Sequence, residues 1–360
     1  TNNLSNRNLI INGAMQVAQR NTSSGSSGYQ TVDRFTFNGS GLNASVTTSQ
    51  ADVASGTTPY TLGFRKSHKI VNGAQTGPDA GDHIYFSQKM EAQNIANSGW
   101  NYLSTSSFIT LSFWVKSSVA QNFYGYLISK DGSSYLYPFE TGSLSANTWT
   151  KVTKTIPGNS NLTFDNDNGS GFELVIAPFF GTSKTGSVSL NAWGAYNSSV
   201  RVPNMTSTWF TTSGATFEYT GVQLEVGSVA TDFEHRSFAQ ELQLCKRYYQ
   251  KSYEYSTVPG TASSPLSMVI GRYPDTVTNR VDLSTRFQIE MRATPTLTFY
   301  RPFSGDAGQI ENFGSGDGTA AGNGRTASVV NLGVNGHGGF VLDAGTQNVL
   351  GYHYQVDAEL

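Results

Sequence analysis

The segment Ile109-Thr-Leu-Ser-Phe-Trp-Val115 alternates apolar and polar side chains in the manner of a β-strand. Successive side chains of a strand point to opposite faces, so one face carries Leu111 and Phe113 while the other carries Trp114 and Lys116. Similar short stretches recur at 31–37, 44–49, 62–71, 82–90, 123–129, 149–156 and 171–180, with turns rich in Gly, Ser, Asn and Asp between them. This spacing predicts an all-β protein built on an antiparallel jelly-roll sandwich.

The dipeptide Asp131-Gly132 predicts a two-residue hairpin turn of type I′, which requires positive φ at both positions. Such a turn sets the register of the flanking strands, with Ile128 opposite Tyr135 and Tyr126 opposite Tyr137. Side chains two positions apart share a face. The register therefore predicts a single aromatic face that carries Tyr124, Tyr126, Tyr135 and Tyr137. Trp114 is expected to lie beside Tyr124 on this face.

The composition favours strands over helices and argues against two classes of partner. Charged residues make up 13% of the 360 residues, against about 25% in average proteins. The net charge is −2 without basic blocks, so we expect neither nucleic-acid binding nor a membrane-surface patch. No apolar run is long enough to span a bilayer, and membrane insertion is not expected. The single cysteine, Cys245, excludes an intrachain disulfide.

One helix is predicted after residue 236. Ser237-Phe-Ala-Gln240 has the form of a capping box. The apolar residues that follow have 4-3-4 spacing and form one stripe of the helix: Phe238, Leu242, Cys245 and Tyr249. This stripe packs on its own jelly roll, or it lines a threefold axis as an assembly element. The predicted domains are a jelly roll over 1–234, a linking helix over 235–250, and a smaller C-terminal β domain over 251–360 that ends in a strand at 349–356.

The stretches 221–236 and 241–249 resemble a signature of phage tail-fibre and spike-type virion proteins. The stretch 8–20, followed by Val32-Asp-Arg-Phe35, resembles the opening of the same module, and the resemblance covers roughly 8–250. That module is similar to jelly-roll carbohydrate-binding modules. The resemblance implies attachment to glycans of the host surface, often as a homotrimer that contacts other virion proteins. It also implies a place on the virion surface, after synthesis in the host cytoplasm.

Sugar binding requires flat aromatic faces together with polar groups that bond sugar hydroxyls. The predicted aromatic face supplies Trp114, Tyr124, Tyr126, Tyr135 and Tyr137, and these rings have a second interpretation as a sandwich core or a subunit interface. Aromatic residues in loop-like sequence are the next candidates, with loop anchoring as their alternative role; they are Trp193, Tyr196 and Trp209.

Catalysis and cofactors are not predicted. A glycosidase needs two carboxylates about 5 to 9.5 Å apart, and nothing in the sequence pairs Glu140, Asp165, Asp167 or Glu173. The five histidines are dispersed without metal-ligand spacing. The stretch 165–169 lacks the register of an EF-hand loop and predicts a polar turn. A structural calcium remains possible in a jelly roll, without a predicted position.

The expected function is therefore non-catalytic attachment of a virion to host polysaccharide. Weak sites gain avidity when several copies act together, which favours an oligomer. The first alternative is a structural spike, cap or connector without a sugar ligand. The second is a capsule-degrading enzyme. Whether the aromatic face is exposed distinguishes the binding function from the first alternative. Turnover of host polysaccharide distinguishes it from the second.

Overall fold

The computed structural model describes residues 6–262, 267–272, 280–314, 322–343 and 349–360. The chain divides into two compact units. Unit 1 contains the residues up to Ala18, Thr22–Glu241 and Leu360, and unit 2 contains Gln19–Asn21 and Leu242–Glu359. No described helix is both long and apolar enough to cross a membrane.

Unit 1 is made of short strands joined by turns and three short helices. The helices are α1 (Thr58–Thr61), α2 (Ala92–Ala96) and α3 (Thr208–Thr211). The strands are β1 (Ser23–Ser24), β2 (Thr36–Ser40), β3 (Thr47–Asp52), β4 (Lys66–Val71), β5 (His83–Glu91), β6 (Phe108–Ser117), β7 (Asn122–Ser129), β8 (Tyr135–Ser143), β9 (Thr150–Pro157), β10 (Ser170–Phe180), β11 (Gly194–Ala195) and β12 (Thr216–Val226).

Within the described part of unit 1, these strands form two six-stranded sheets. Sheet I has the order β1-β3-β4-β12-β6-β9, and sheet II has the order β11-β8-β7-β10-β5-β2. Leu111 and Phe113 project from β6 into the space between the sheets, where they join Leu127 of β7 and Leu174 of β10 in one buried cluster. The fold is an antiparallel jelly-roll sandwich, which confirms the predicted fold class.

The hairpin after β7 has a longer turn than predicted, and its strand register differs from the predicted register by one residue. β7 ends at Ser129 and β8 begins at Tyr135, so the connection covers 130–134 instead of two residues. Gly132 has a φ of 59°, but Asp131 is not among the residues with positive φ, and a type I′ turn needs both. Ile128 therefore pairs with Leu136 instead of Tyr135.

A one-residue shift in register moves every side chain of a strand to the other face. Tyr137 is consequently part of the core between the sheets, and Tyr135 packs against that core. Tyr124 and Tyr126 lie on the opposite side of sheet II, in a separate cluster. Trp114 belongs to sheet I. The prediction of one shared face for these five aromatic residues is therefore wrong.

The predicted first strand at 31–37 is a turn over most of its length. The Phe35 amide donates to the Val32 carbonyl at 3.2 Å, and Arg34 adopts a φ of 71°. Phe35 and Val32 are still buried in the core. Regular pairing begins only at Thr36, so apolar alternation here marks burial without marking a strand.

The opening segment is held by buried side-chain amides. Asn8 donates from Nδ2 to the Val222 carbonyl at 3.0 Å, and its Oδ1 accepts from the Leu224 amide at 3.0 Å. Asn12 bonds the Val17 backbone through both its Nδ2 and its Oδ1, at 2.9 Å each. Because these amides satisfy backbone groups away from the ladders, they fix an irregular segment inside the protein.

The same segment is joined to the start of the predicted helix. The Asn12 amide donates to Glu241 Oε1 at 2.5 Å, and Arg236 donates to the Asn8 carbonyl at 2.6 Å. Glu241 and Arg236 form an ion pair at 3.5 Å. We refer to Asn8, Asn12, Arg236 and Glu241 as the polar clasp. Burial raises the pKa of the Glu241 carboxyl, and the Asn12 amide and Arg236 oppose that shift.

The predicted helix is α4 (Phe238–Lys246), and its capping box is confirmed. The Gln240 amide donates to Ser237 Oγ at 3.3 Å, while the Ser237 amide donates to Gln240 Oε1 at 3.0 Å. The apolar stripe is shorter than predicted, because α4 ends at Lys246 and Tyr249 lies in the next strand. Cys245 is buried, Leu242 is half-buried and Phe238 is 44% exposed. A threefold seam along this stripe stays a prediction.

Unit 2 is also an antiparallel β structure, organised around its last strand. Its described strands are β13 (Tyr249–Lys251), β14 (Val269–Arg272), β15 (Arg280–Val281), β16 (Thr285–Arg286), β17 (Thr296–Tyr300), β18 (Gln309–Gly314), β19 (Asn323–Val330), β20 (Gly336–His337), β21 (Gly339–Leu342) and β22 (Val349–Asp357). β22 pairs with β13, β14, β17 and β18, at the position predicted for the final strand. Phe299, Ile310, Phe340 and Tyr352 contribute to its core.

Candidate functional site: the outer face of sheet II

The side of sheet II that faces away from the core is aromatic and partly polar. On β7, Phe123 and Leu127 enter the core, so Tyr124 and Tyr126 point outward. The same alternation on the neighbouring β10 and β5 brings further side chains to this side. We call this surface the sheet II outer face; its residues are Tyr85, Tyr124, Tyr126, Ile128, Glu173 and Val175, with Tyr196 and Arg201 above them.

The connection between β10 and α3 folds back over part of this face. Val202 is fully buried in a cluster with Tyr126 and Leu136. The Gly186 amide donates to the Val202 carbonyl at 3.0 Å, and the Tyr196 amide donates to the Ser134 carbonyl at 2.9 Å. Tyr85, Tyr124 and Tyr196 remain only partly buried. The covering segment therefore leaves tyrosine rings accessible around an apolar floor.

The aromatic rings of this face contact one another. The Tyr126 ring stacks on Phe180 with centroids 6.3 Å apart, and Tyr85 lies 5.5 Å from the same ring. His83 stacks on Tyr85 at 5.5 Å. Burial raises the pKa of Tyr126 and Tyr85. Both phenols therefore stay protonated at neutral pH and act as uncharged hydrogen-bonding groups.

Charged and amide groups lie among the rings. Lys130 Nζ is 2.6 Å from Glu173 Oε2. Asn122 donates from Nδ2 to Glu140 Oε2 at 2.7 Å, in the strand pair that includes Tyr124. The Arg201 guanidinium carbon is 5.7 Å from the centroid of the Tyr196 ring. Rings of this kind pack against the C–H face of a sugar, and the amide and carboxylate groups bond its hydroxyls.

Three of the eight predicted sugar-binding residues lie on the sheet II outer face, and they are Tyr124, Tyr126 and Tyr196. Tyr126 is only 4% exposed, so it supports the floor more than it presents a ring. Tyr135 and Tyr137 face the core because of the register described above. Their part in a common platform with Tyr124 was predicted wrongly.

Two predicted candidates from loop-like sequence anchor the fold. Trp193 packs 5.2 Å from the Tyr137 ring and donates from Nε1 to the Pro157 carbonyl at 2.7 Å. Trp209 lies in α3, is 0% exposed and donates to the Thr216 carbonyl at 3.0 Å. The Trp209 ring offers no face to a ligand, so its inclusion among sugar-binding residues is corrected.

The opposite surface of the sandwich also carries aromatic and charged side chains. We call it the sheet I outer face; its residues are Lys69, Trp114, Lys116, Glu218, Gln223 and Glu225. Glu218 lies 3.5 Å from Lys69 Nζ and 3.2 Å from Lys116 Nζ. Trp114 packs against a small buried cluster that includes Phe64.

Sequence reasoning missed Tyr85 and Arg201. Tyr85 had a signal, because Ile84 and Phe86 on either side of it are core residues of a predicted strand. Arg201 had none, since it follows a run of Asn and Ser without periodicity. Its position over the tyrosines depends on how the covering segment returns to sheet II, which is a tertiary property.

Unit 2 contains a cleft of about 580 Å³ between β16, β20 and the residues that precede β20. Buried His337 shares a hydrogen bond with the Tyr352 hydroxyl at 3.2 Å, and Thr285 bonds that hydroxyl at 2.6 Å. The described lining residues of the cleft include no Phe, Tyr or Trp. Within the described residues, no group of three His, Cys, Asp or Glu is arranged to hold a metal ion.

No protein-family model matches the chain, and no curated protein matches it. Among solved structures, the enzymatically active domain of tailspike protein 4 from bacteriophage CBA120 is similar at 13% identity and a TM-score of 0.31, over 61% of this chain and 21% of that chain. The chain thus spans about a fifth of that protein's length.

Two further similar structures are a putative sugar-binding protein and a carbohydrate-binding module. A putative sugar-binding protein from Bacteroides thetaiotaomicron matches at 11% identity and a TM-score of 0.33, over 61% of this chain and 100% of its own. A family 11 carbohydrate-binding module from Clostridium thermocellum matches at 12% identity and a TM-score of 0.27, over 60% and 99%. Likeness at this level identifies neither the ligand nor the activity of this chain.

Proposed function

We propose that the chain is a non-catalytic glycan-binding protein that attaches a phage virion to its host through the sheet II outer face. The observation that carries the proposal is the grouping of three partly exposed tyrosines, Tyr85, Tyr124 and Tyr196, beside the Asn122–Glu140 amide–carboxylate pair. Rings provide stacking surfaces, and the pair bonds hydroxyls with directional preference.

The face suits weak binding that is strengthened by repetition. Its rings lie on a sheet surface partly covered by one segment, so a single sugar contacts few groups at once. Several copies acting on one polysaccharide raise the overall affinity without any new contact. The proposal includes a homotrimer on the virion surface, joined to other virion proteins, as the resemblance of the sequence to phage tail-fibre proteins implies.

The test is binding of the purified chain to an array of bacterial surface polysaccharides, compared with a Tyr124→Ala/Tyr196→Ala variant. We expect selective binding that weakens about tenfold in the variant, or ~1.4 kcal/mol. Trp149→Ala is the matched control, because Trp149 is a partly buried aromatic residue beside Lys116, on the other side of the sandwich. The control is expected to bind as the unmodified chain does.

Other outcomes decide between the alternatives. A folded chain that binds no glycan is a structural virion component. Binding that survives in the tyrosine variant and is lost in the tryptophan control moves the site to sheet I. Release of oligosaccharides from host polysaccharide makes the chain an enzyme and overturns the non-catalytic proposal.

A further inference from the structure

Arg201, on the sheet II outer face, has no ion pair among the described residues. Of the two carboxylates of this face, Glu173 is 2.6 Å from Lys130 Nζ, and Glu140 accepts a hydrogen bond from Asn122. Arg201 donates from Nε to the Ser198 carbonyl at 3.2 Å, and its guanidinium also interacts with the Tyr126 phenol. These partners are uncharged, so the positive charge is not neutralised within the described part of the protein.

Arg201 is close to the surface of the covering segment, where the nearby Ser198 and Ser199 are exposed. The Arg201 side chain as a whole is half-buried, beside the Tyr196 ring. Partial burial lowers the effective dielectric constant and strengthens attraction for an anion relative to bulk water.

The surroundings of Arg201 add positive charge. Its amide donates to the Lys184 carbonyl at 2.8 Å, and the Lys184 side chain likewise has no ion pair among the described residues. Both charges lower the pKa of nearby His83, although burial is the larger cause and Asp82 acts in the opposite direction. Asp82 accepts from the Asp79 amide at 2.8 Å. Arg201 and Lys184 thus place two positive charges near His83, with Asp82 acting against them.

We infer that the sheet II outer face takes an acidic saccharide, with a uronate-type carboxylate on Arg201 and the sugar ring against Tyr196. This inference rests on the proposed function, since it names the class of glycan bound at the same site. A guanidinium presents paired N–H donors that match the two oxygens of a carboxylate, which a lysine does not reproduce.

The experiment measures binding of the full chain to galacturonan, alginate and hyaluronan, with dextran and galactan as neutral probes. We expect at least one uronate polymer to bind about tenfold or more tightly than the neutral polymers, because a hydrogen bond to a charged group contributes this much. That preference is expected to shrink as NaCl is raised from about 50 to 300 mM.

Arg201→Gln is expected to abolish the preference for uronate polymers, and Arg201→Lys to restore only part of it. Arg65→Gln is the matched control, because the Arg65 guanidinium also lies over a tyrosine ring, 4.0 Å from the Tyr60 centroid. Tyr60 packs in the cluster with Trp114 of sheet I, away from the sheet II outer face. An unchanged uronate preference in Arg201→Gln overturns the inference.

The two proposals fail in different ways. Binding of neutral polymers that depends on Tyr124 and Tyr196, without preference for uronates, overturns the acidic-saccharide inference and leaves the proposed function standing. Absence of binding to both classes by the folded chain overturns both proposals.

Discussion

The two outer faces of the sandwich have similar components and different charge arrangements. On the sheet I outer face, Glu218 is almost fully buried and is shared by Lys69 and Lys116. On the sheet II outer face, Arg201 lies over Tyr196 without a carboxylate partner in the described chain. Both faces combine rings with cations, so residue type alone does not separate them.

The difference indicates which face is available for a ligand. A cation whose partner is built into the protein stabilises the fold and has less attraction left for an outside anion. A cation without such a partner is only partly compensated, and a bound anion improves its energy. We therefore expect charge compensation to be a better guide to the proposed binding face than aromatic content.

The largest effect is expected from Glu218→Ala on the sheet I outer face. The substitution leaves Lys69 and Lys116 close together without their shared carboxylate and lowers the free energy of unfolding by about 3 kcal/mol, the low end of the range for buried pairs because both lysines are partly exposed. Denaturant unfolding followed by tryptophan fluorescence measures this in unit 1, which holds all five tryptophans.

Lys69→Gln is the companion variant for that measurement, since Glu218 keeps Lys116 at 3.2 Å. A loss below about 1 kcal/mol is expected for it. Equal losses in the two variants contradict a compensating role for the carboxylate.

A second, slightly smaller loss of stability is expected at acidic pH, because of a histidine buried in the interior between the two faces. His68 is fully buried, with Nδ1 2.8 Å from the Tyr219 hydroxyl and Nε2 3.2 Å from Thr31 Oγ1, and burial lowers its pKa from 6.5 to about 3. The unfolded chain takes up this proton near pH 6.5 and the folded chain only near pH 3. Stability therefore falls with decreasing pH across this window, by up to about 1.4 kcal/mol per unit.

Unfolding at pH 7.5 and pH 4.5 is expected to differ by roughly 2 to 3 kcal/mol from this histidine. His68→Gln reduces the difference, whatever its effect on stability at neutral pH. NMR titration of the His68 imidazole provides a check without substitution. A titration near pH 6 means that water reaches this imidazole and contradicts the prediction.

The smallest effect on stability is expected from Arg201→Gln. Arg201 has no ion pair to lose, only hydrogen bonds to Ser198 and Tyr126, so the free energy of unfolding falls by no more than about 1 kcal/mol, while the preference for acidic glycans disappears. The same fluorescence-detected unfolding measures it. A loss above about 2 kcal/mol makes Arg201 a structural residue and removes the contrast between the faces.

Local patterns predicted much of the fold. The segment at 109–115 became β6, Ser237 and Gln240 formed the reciprocal cap, and the last strand began at Val349. Each of these depends on side chains a few positions apart. The failures were not local: the turn after Ser129 was longer than its sequence suggested, and a register shift of one residue placed Tyr137 and Tyr124 on opposite faces of sheet II.

The candidate site was predicted only in part for the same reason. Tyr124 and Tyr196 were named from aromatic character, and Tyr85 was recoverable from the alternation of its strand. Arg201 was not recoverable, because its proposed role depends on its having no ion pair among the described residues, which the sequence does not reveal. Charge compensation between strands that are distant in sequence, as between Glu218 and Lys69 or Lys116, produces no recognisable residue spacing in the sequence.

The polar clasp has a mechanical consequence. Asn8, near one end of unit 1, and Glu241, near the other, are connected through Asn12 and Arg236 by hydrogen bonds of 2.5 and 2.6 Å. A pulling force applied between these two ends is carried by the clasp and by the hydrogen bonds of Asn8 to Val222 and Leu224 of β12. We therefore expect unit 1 to resist tension as a short, stiff link until these bonds shear.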